Sequence, residues 1–198
     1  MSKVYFTKEI SSESLIKIYN ALGVTLKGKV GIKVSTGERG SKGYLKADLI
    51  ESLVKRLNGT IIECNTAYDG ARNSVEEHLE VAKEHGFDFT DIDIMDGEGE
   101  IKIPVKNGKH LKYDIIGKNF DKYDSIINLA HGKGHAMGGF GANLKNQSIG
   151  IASRRGKAYI QSCGKTKSPR LCWLVKNDQK DFIESMAEAA KAVTDYLE

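Results

Sequence analysis

The chain has 198 residues, of which 40% are hydrophobic and 28% are charged. This length and composition suffice for one substantial hydrophobic core and exclude an intrinsically disordered chain. The formal net charge is +4, but the charges are interspersed along the chain. The sequence has no basic stripe with interleaved aromatic residues, so we do not predict nucleic-acid binding. No apolar run approaches the length of a signal peptide or a membrane span, so we predict a cytoplasmic protein without membrane association.

The first half of the chain alternates predicted strands with predicted helices. The strands are predicted at residues 4–6, 29–35 and 60–64, and the helices at residues 11–22, 46–58 and 74–85. Each helix carries apolar residues at helical spacing, and a glycine follows each one: Gly23, Gly59 and Gly86. Asn73 and Glu76 have the spacing of a capping box at the start of the third helix. Such alternation predicts a parallel sheet with helices on its faces.

The pattern changes in the second half of the chain. Residues 91–95 and 124–130 are predicted strands, and residues 100–105 and 110–115 flank a turn, which predicts a β-hairpin appended to the sheet. Residues 157–162 are predicted as a further strand, and residues 178–197 as a long amphipathic helix. The predicted fold is therefore α/β, a mostly parallel sheet flanked by helices with an appended β-hairpin. We expect a single domain over residues 1–198, either as a whole protein or as the N-terminal part of a longer one.

The most informative segment is residues 131–150, HGKGHAMGGFGANLKNQSIG, in which six of the twenty residues are glycine. It follows the predicted buried strand at 124–130, and open α/β sheets place ligands at the ends of such strands. Lys133, His135 and Lys145 are predicted to supply acid/base and anion-orienting groups. The alternative is that the glycines permit tight packing and the polar side chains only satisfy the backbone of a loop.

The same segment contains further candidate ligand-binding residues and a histidine pair. Gly138, Gly139 and Asn146 are predicted to contact the ligand. His131 and His135 are candidate metal ligands because histidine is a common metal ligand, although a third ligand would be needed.

Two upstream loops are predicted to lie at the same edge of the sheet. The loop of residues 36–44 begins with Thr36 and is either an anion site or a solvated loop. The loop of residues 65–73 contains Asn65 and Arg72. The guanidinium of Arg72 either holds a carboxylate or phosphate or pairs with a nearby acidic residue, Asp69 or Glu76.

The cysteines give little evidence for a bound metal or cluster. Cys64, Cys163 and Cys172 cannot all pair within one chain, and their spacing matches neither a zinc site nor a C-x-x-C motif. We interpret all three as reduced thiols in a reducing compartment.

The segment NLAHGKGHAMGGFGANLKNQSIG, with KVGIKVSTGE and TIIECNTAYDGARN upstream, resembles the family called domain of unknown function 362. The resemblance is strongest at Lys133-Gly134-His135 and at Lys145-Asn146. Members of this family are often described as iron–sulfur centre proteins, and longer relatives carry ferredoxin-like cysteine clusters that bind [4Fe–4S] centres. The resemblance therefore implies iron–sulfur redox chemistry, but the three cysteines of this chain cannot hold a four-cysteine cluster alone.

Three functional hypotheses follow. The first is a module that binds a small anionic ligand or an unknown cofactor, linked through its family to iron–sulfur redox chemistry and a ferredoxin-like partner. The second is an enzyme that uses Lys133, His135 and Lys145 for acid/base chemistry on a small anionic substrate. The third is a metal-binding protein that uses His131 and His135. The sequence is also compatible with a homo-oligomer.

Overall fold

A parallel sheet of four strands carries the fold in the computed structural model, which describes residues 3–198. The strands are β1 (Val30–Lys33), β2 (Thr60–Glu63), β3 (Ile92–Ile94) and β6 (Ser125–Asn128), in the order β3-β2-β1-β6. The helices are α1 (Ser12–Leu22), α2 (Ala47–Arg56), α3 (Val75–Glu84), α4 (Asn143–Ser148), α5 (Arg154–Gln161) and α6 (Gln179–Leu197). The predicted α/β class, with a mostly parallel sheet flanked by helices, is confirmed.

The two faces of the sheet pack into separate hydrophobic clusters because successive side chains of a strand point to opposite faces. Ile61 of β2 packs with residues of α2 and α3, including Ile50 and Ala82. Its neighbour Ile62 packs on the other face with Ile116 and with Val193 of α6. The sheet is thus buried on both sides, as parallel sheets generally are.

The helix boundaries follow from local capping. The Ser11 side chain accepts a hydrogen bond from the Ser14 backbone N–H at the start of α1, and Gly23 ends that helix with a left-handed φ of 63°. Helix α3 is capped by Ser74, which accepts from the Glu77 N–H, rather than by the predicted Asn73.

The predicted hairpin forms, but as a sheet of its own. Strands β4 (Glu100–Pro104) and β5 (Tyr113–Gly117) pair antiparallel, with Ile101 opposite Ile116, and neither joins the parallel sheet. The predicted strand at residues 4–6 is wrong: the segment pairs with no strand, and Val4 is 89% exposed. Without a neighbouring strand, the backbone of this segment has no ladder of hydrogen bonds to join.

The strand predicted at residues 157–162 is also wrong, because this segment belongs to α5. The side chain of Ser153 caps that helix by accepting from the Gly156 N–H. Five consecutive residues from Gly156 to Ile160 are buried, so the segment lacks the one-sided pattern of a strand with an exposed face. A short run that alternates polar and apolar residues fits a buried helix equally well.

The glycine-rich segment of residues 131–150 has more regular structure than predicted. Strands β7 (Lys133–His135) and β8 (Gly139–Gly141) form a small antiparallel hairpin, and α4 follows directly. Helix α4 contains no glycine, which explains why it forms inside a glycine-rich segment. Within residues 3–198, no helix has the combination of length and apolar composition that spanning a membrane requires.

The start of α5 approaches the hairpin so closely that only glycine fits at position 156. A Cβ there would lie 1.9 Å from the carbonyl oxygen of Ile115. Gly156→Ala is therefore expected to lower the free energy of unfolding by about 2–3 kcal/mol, although alanine favours the helix itself. Urea denaturation measures this loss.

The matched control is Gly134→Ala on β7, where a Cβ would meet nothing within 4 Å. This variant is expected to change the free energy of unfolding by less than about 0.5 kcal/mol. Equal stability of the two variants would show that α5 does not depend on the close approach at Gly156.

Candidate functional site

A cleft opens at the carboxyl end of the parallel sheet, where the strand order reverses. The chain passes outward from β1 through β2 and β3 and then returns to place β6 on the other side of β1. Open α/β sheets bind ligands at such a switch point. The cleft, here called the inner cleft, has a volume of about 360 Å³ and is bordered by the ends of β1 and β2, the β7–β8 hairpin, α4 and α5.

The inner cleft carries more positive than negative side chains. Its two carboxylates belong to Glu38 and Glu63. Its basic side chains are those of Lys33, Arg72, Lys133, Lys145 and Lys157. His131 and His135 also line the cleft.

At the base of the cleft lies a buried ion pair. The ammonium of Lys33, at the end of β1, lies 3.8 Å from a carboxylate oxygen of Glu63, at the end of β2. Lys33 also donates to the carbonyl of Val34 at 2.7 Å and to the side-chain oxygen of Asn146 at 3.0 Å. Burial lowers the pKa of Lys33 to about 8, an effect that the charge of Glu63 only partly offsets.

Glu63 is held by several groups at once. Thr36 donates to it through its backbone N–H at 2.7 Å and its hydroxyl at 2.6 Å, and Arg72 lies 3.5 Å away. Burial raises the pKa of Glu63, but the charge of Lys33, the nearby ring of His78 with its Nε2 at 3.5 Å and the charge of Arg72 outweigh it and hold the pKa well below its usual value. Glu63 is therefore ionised at neutral pH.

Arg72 pairs with carboxylates across the cleft, and not with the acidic residues nearest to it in sequence. Its guanidinium bonds to Glu38 and faces Glu63. Glu38 in turn accepts a hydrogen bond from the hydroxyl of Tyr68. The predicted alternatives, Asp69 and Glu76, are not among the partners of Arg72.

Lys157 enters the cleft from α5. Its side chain is buried and donates to the carbonyl oxygens of Ala152 at 2.5 Å and Cys64 at 3.4 Å. These bonds fix its charge beside the end of β2 without neutralising it.

Lys145 differs from the two buried lysines of the cleft, Lys33 and Lys157. Within residues 3–198 its ammonium forms no hydrogen bond to an acceptor and no ion pair with a carboxylate. Burial lowers the pKa of Lys145, and the positive charges of Lys157, Lys133 and Arg72 lower it further. Lys145 therefore presents a half-buried, uncompensated amine to the cleft.

The other predicted residues of the glycine-rich segment differ in their position and their hydrogen bonds. Lys133 is exposed at the rim and donates to the carbonyl of Gly43 at 3.2 Å. His135 accepts from the Gly138 N–H at 3.0 Å, and burial followed by the charges of Lys145 and Lys133 lowers its pKa. Gly138 and Gly139 lie at the hairpin turn, outside the lining of the inner cleft.

Asn146 and Asn65 organise the site through hydrogen bonds to the protein itself. The amide of Asn146 donates to the carbonyl of Lys33 at 3.2 Å and to the side chain of Asn128 at 2.7 Å, which joins α4 to β1 and β6. The backbone N–H of Asn65 donates to Asp96, and its side chain lies against His78. Thr36 likewise bonds to the protein itself, by donating two hydrogen bonds to Glu63.

The sequence analysis missed four residues that line the inner cleft: Lys33, Glu38, Glu63 and Lys157. The available signal was a charged residue at the end of each of two otherwise apolar strands, in KVGIKVS and TIIEC. Parallel strands buried on both faces are nearly continuously hydrophobic, so an internal lysine or glutamate in one is unusual.

Among residues 3–198, the histidines of the inner cleft and the three cysteines belong to no close group of three potential metal ligands. In the described part of the chain, one group of three potential ligands lies close enough together, and it consists of His110, Asp181 and Glu184, away from the inner cleft. The cysteines are all buried, and none belongs to that group; burial raises the pKa of Cys64 to about 12. Three dispersed thiols do not fit the four-thiolate set of a [4Fe–4S] cluster held by this chain alone.

The geometry defines an open-sheet α/β protein with a basic cleft at its switch point. Residues 30–198 match the family described as Domain of unknown function (DUF362), and the chain therefore belongs to that family. The match begins at β1 and includes the whole parallel sheet and every residue of the inner cleft. No curated protein and no solved structure matches this chain.

The buried pair of Lys33 and Glu63 makes a test of stability possible. Glu63→Gln leaves the ammonium of Lys33 buried without its counter-ion, which is expected to lower the free energy of unfolding by about 3–5 kcal/mol. The double variant Lys33→Met with Glu63→Gln removes both charges and is expected to recover part of this loss. Urea denaturation of each variant measures the effect.

Glu51→Gln is the matched control, because Glu51 is an exposed carboxylate paired with Lys55 on α2. Its loss is expected to cost less than about 1 kcal/mol. A Glu63→Gln variant as stable as the Glu51→Gln variant would contradict the coupling of Lys33 to Glu63.

Proposed function

We propose that this protein binds a small anion, a phosphate or carboxylate group, in the inner cleft. The observation that carries the proposal is the ammonium of Lys145, which faces the cleft without an acceptor among residues 3–198. Arg72, Lys133 and Lys157 add positive charge around it. An anion at this point offsets the mutual repulsion of these cations and accepts charge-assisted hydrogen bonds, which are about twice as strong as neutral ones.

The remaining charges explain where the anion binds. The carboxylate of Glu63 is occupied by Thr36, Lys33 and Arg72. Glu38 is occupied by Arg72 and Tyr68. Since both carboxylates are engaged on the β1–β2 side, the uncompensated charge lies on α4, the β7–β8 hairpin and α5, at Lys145, Lys133 and Lys157.

The lowered pKa values of Lys145 and His135 favour a second candidate function. A lysine with a lowered pKa is a better base at neutral pH than an ordinary lysine, and both groups line the cleft in which the anion would lie. This supports the hypothesis of an enzyme that performs acid/base chemistry on a bound anion. The test measures whether the protein catalyses deuterium exchange into small keto acids. Both Lys145→Ala and His135→Ala are expected to abolish this catalysis.

Two further hypotheses remain predictions of the sequence analysis. The iron–sulfur redox link and the ferredoxin-like partner depend on a cluster that the cysteines of this chain do not fit by themselves. A metal site at His131 and His135 requires a third ligand. Metal analysis after aerobic and anaerobic purification tests both hypotheses.

Isothermal titration calorimetry with sulfate and with inorganic phosphate tests anion binding directly. Lys145→Ala is expected to weaken binding about tenfold or more, because a hydrogen bond to a charged group contributes about 1.5–3 kcal/mol. Lys17→Ala removes the same charge from an exposed position on α1 and is expected to leave binding unchanged. Equal affinities of these two variants, or no binding by the unaltered protein, would refute the proposal.

The affinity for sulfate is expected to fall as the pH rises through about 8, where Lys33 loses its proton. Below that pH the ammonium is charged and attracts the anion, and above it the cleft has lost one positive charge. Sulfate is the suitable probe because its own charge is constant in this range, unlike that of phosphate. Titrations one pH unit below and above this value should differ, and an unchanged affinity would exclude a contribution of Lys33.

A further inference from the structure

A second, larger cleft adjoins the inner cleft and shares part of its wall. This outer cleft has a volume of about 770 Å³ and lies beside the ends of β2 and β3 and the start of α5. Ala67, Tyr68 and Trp173 line both clefts. The two clefts are therefore adjacent at these three side chains.

Trp173 is the most prominent side chain at the junction of the two clefts. It is the single tryptophan of the chain, and half of its surface is exposed (50%). It belongs to a short 3-10 helix, Cys172–Leu174, which is anchored by the buried Cys172. Tryptophan contributes a large apolar surface when it is covered, so a half-exposed tryptophan at a cleft junction is suited to stack on a planar ring.

The charges of the outer cleft indicate that it does not hold the anion itself. Arg155 pairs with Glu100 at 2.7 Å. Arg154 donates to the carbonyl of Thr66 at 3.0 Å, and its backbone N–H donates to Asp96. The outer cleft thus combines an aromatic surface with three arginines and three carboxylates, whose formal charges balance, whereas the inner cleft has an excess of positive charge.

Arg170 adds a polar group to the same wall. Its side chain lines the outer cleft, and no ion pair of this guanidinium is found in the described part of the chain. A guanidinium beside a tryptophan can donate to the ring oxygens or nitrogens of a stacked base, or stack on the base itself.

We propose that the ligand is a phosphorylated compound with a planar aromatic ring, such as a nucleotide, whose phosphate lies in the inner cleft and whose ring stacks on Trp173. This inference rests on the proposed function, since it needs the anion site at Lys145. The inference specifies the part of the ligand beyond its phosphate, namely a planar aromatic ring. Stacking of a base on an aromatic side chain contributes enough to raise affinity about tenfold or more.

The test compares ligands that carry a phosphate with and without a ring. Isothermal titration calorimetry is performed with ribose phosphate, adenosine monophosphate and flavin mononucleotide. At least one of the two aromatic ligands is expected to bind about tenfold more tightly than ribose phosphate, and to quench the fluorescence of Trp173. Because the chain has one tryptophan, the indole fluorescence comes from Trp173 alone.

Variants then test whether the higher affinity of the aromatic ligand depends on Trp173. Trp173→Ala is expected to reduce the aromatic ligand to the affinity of ribose phosphate, and Trp173→Phe to retain part of the gain. Leu174→Ala is the control, because Leu174 is an exposed neighbour that lines neither cleft. It is expected to bind like the unaltered protein.

The outcomes separate this inference from the proposed function. If ribose phosphate binds and neither aromatic ligand binds more tightly, the ring site is refuted and the anion site stands. If an aromatic ligand binds more tightly but Trp173→Ala keeps the gain, the ring lies elsewhere and the inference is also refuted. If no phosphorylated ligand, inorganic phosphate or sulfate binds, the proposed function itself fails.

Discussion

The buried ion pair between Lys33 and Glu63 is the constraint on which the site depends. These residues end two neighbouring strands of the parallel sheet, and the register places Lys33 opposite Ile62, one residue before Glu63. Taking two charges out of water is costly, and an apolar pair of similar volume is often as stable or more stable. The pair therefore gives no clear benefit to stability, which supports the view that it serves the cleft above it.

Helix α4 depends on this pair through a short chain of contacts. Lys33 donates to Asn146, and Asn146 also bonds to β6 through Asn128, so the helix that carries Lys145 is fixed to two strands. Gly150 permits this approach, because a Cβ there would lie 2.6 Å from the Cε of Lys33. Lys33 thus helps to hold in place the helix that carries the uncompensated amine of Lys145.

Much of the fold followed from local patterns, and the exceptions have physical reasons. Helices that end at glycine and alternate with apolar strands specified the parallel sheet, since each boundary is encoded by nearby residues. The strand predictions for residues 4–6 and 157–162 were wrong because a short apolar pattern does not show whether a partner strand exists. The glycine-rich segment follows the predicted strand, β6, and its role as a ligand site stays a prediction. Lys33 and Glu63 were missed because their partners are distant in sequence.

The central claim is that the inner cleft holds an anion at Lys145. The most direct measurement is a crystal structure of the protein with selenate, which has the shape and charge of sulfate and is located by its anomalous scattering. The account predicts a selenium peak in the inner cleft, with a selenate oxygen at about 2.7–3.2 Å from the Nζ of Lys145. Selenate bound at surface lysines, with no peak in the inner cleft, would contradict it.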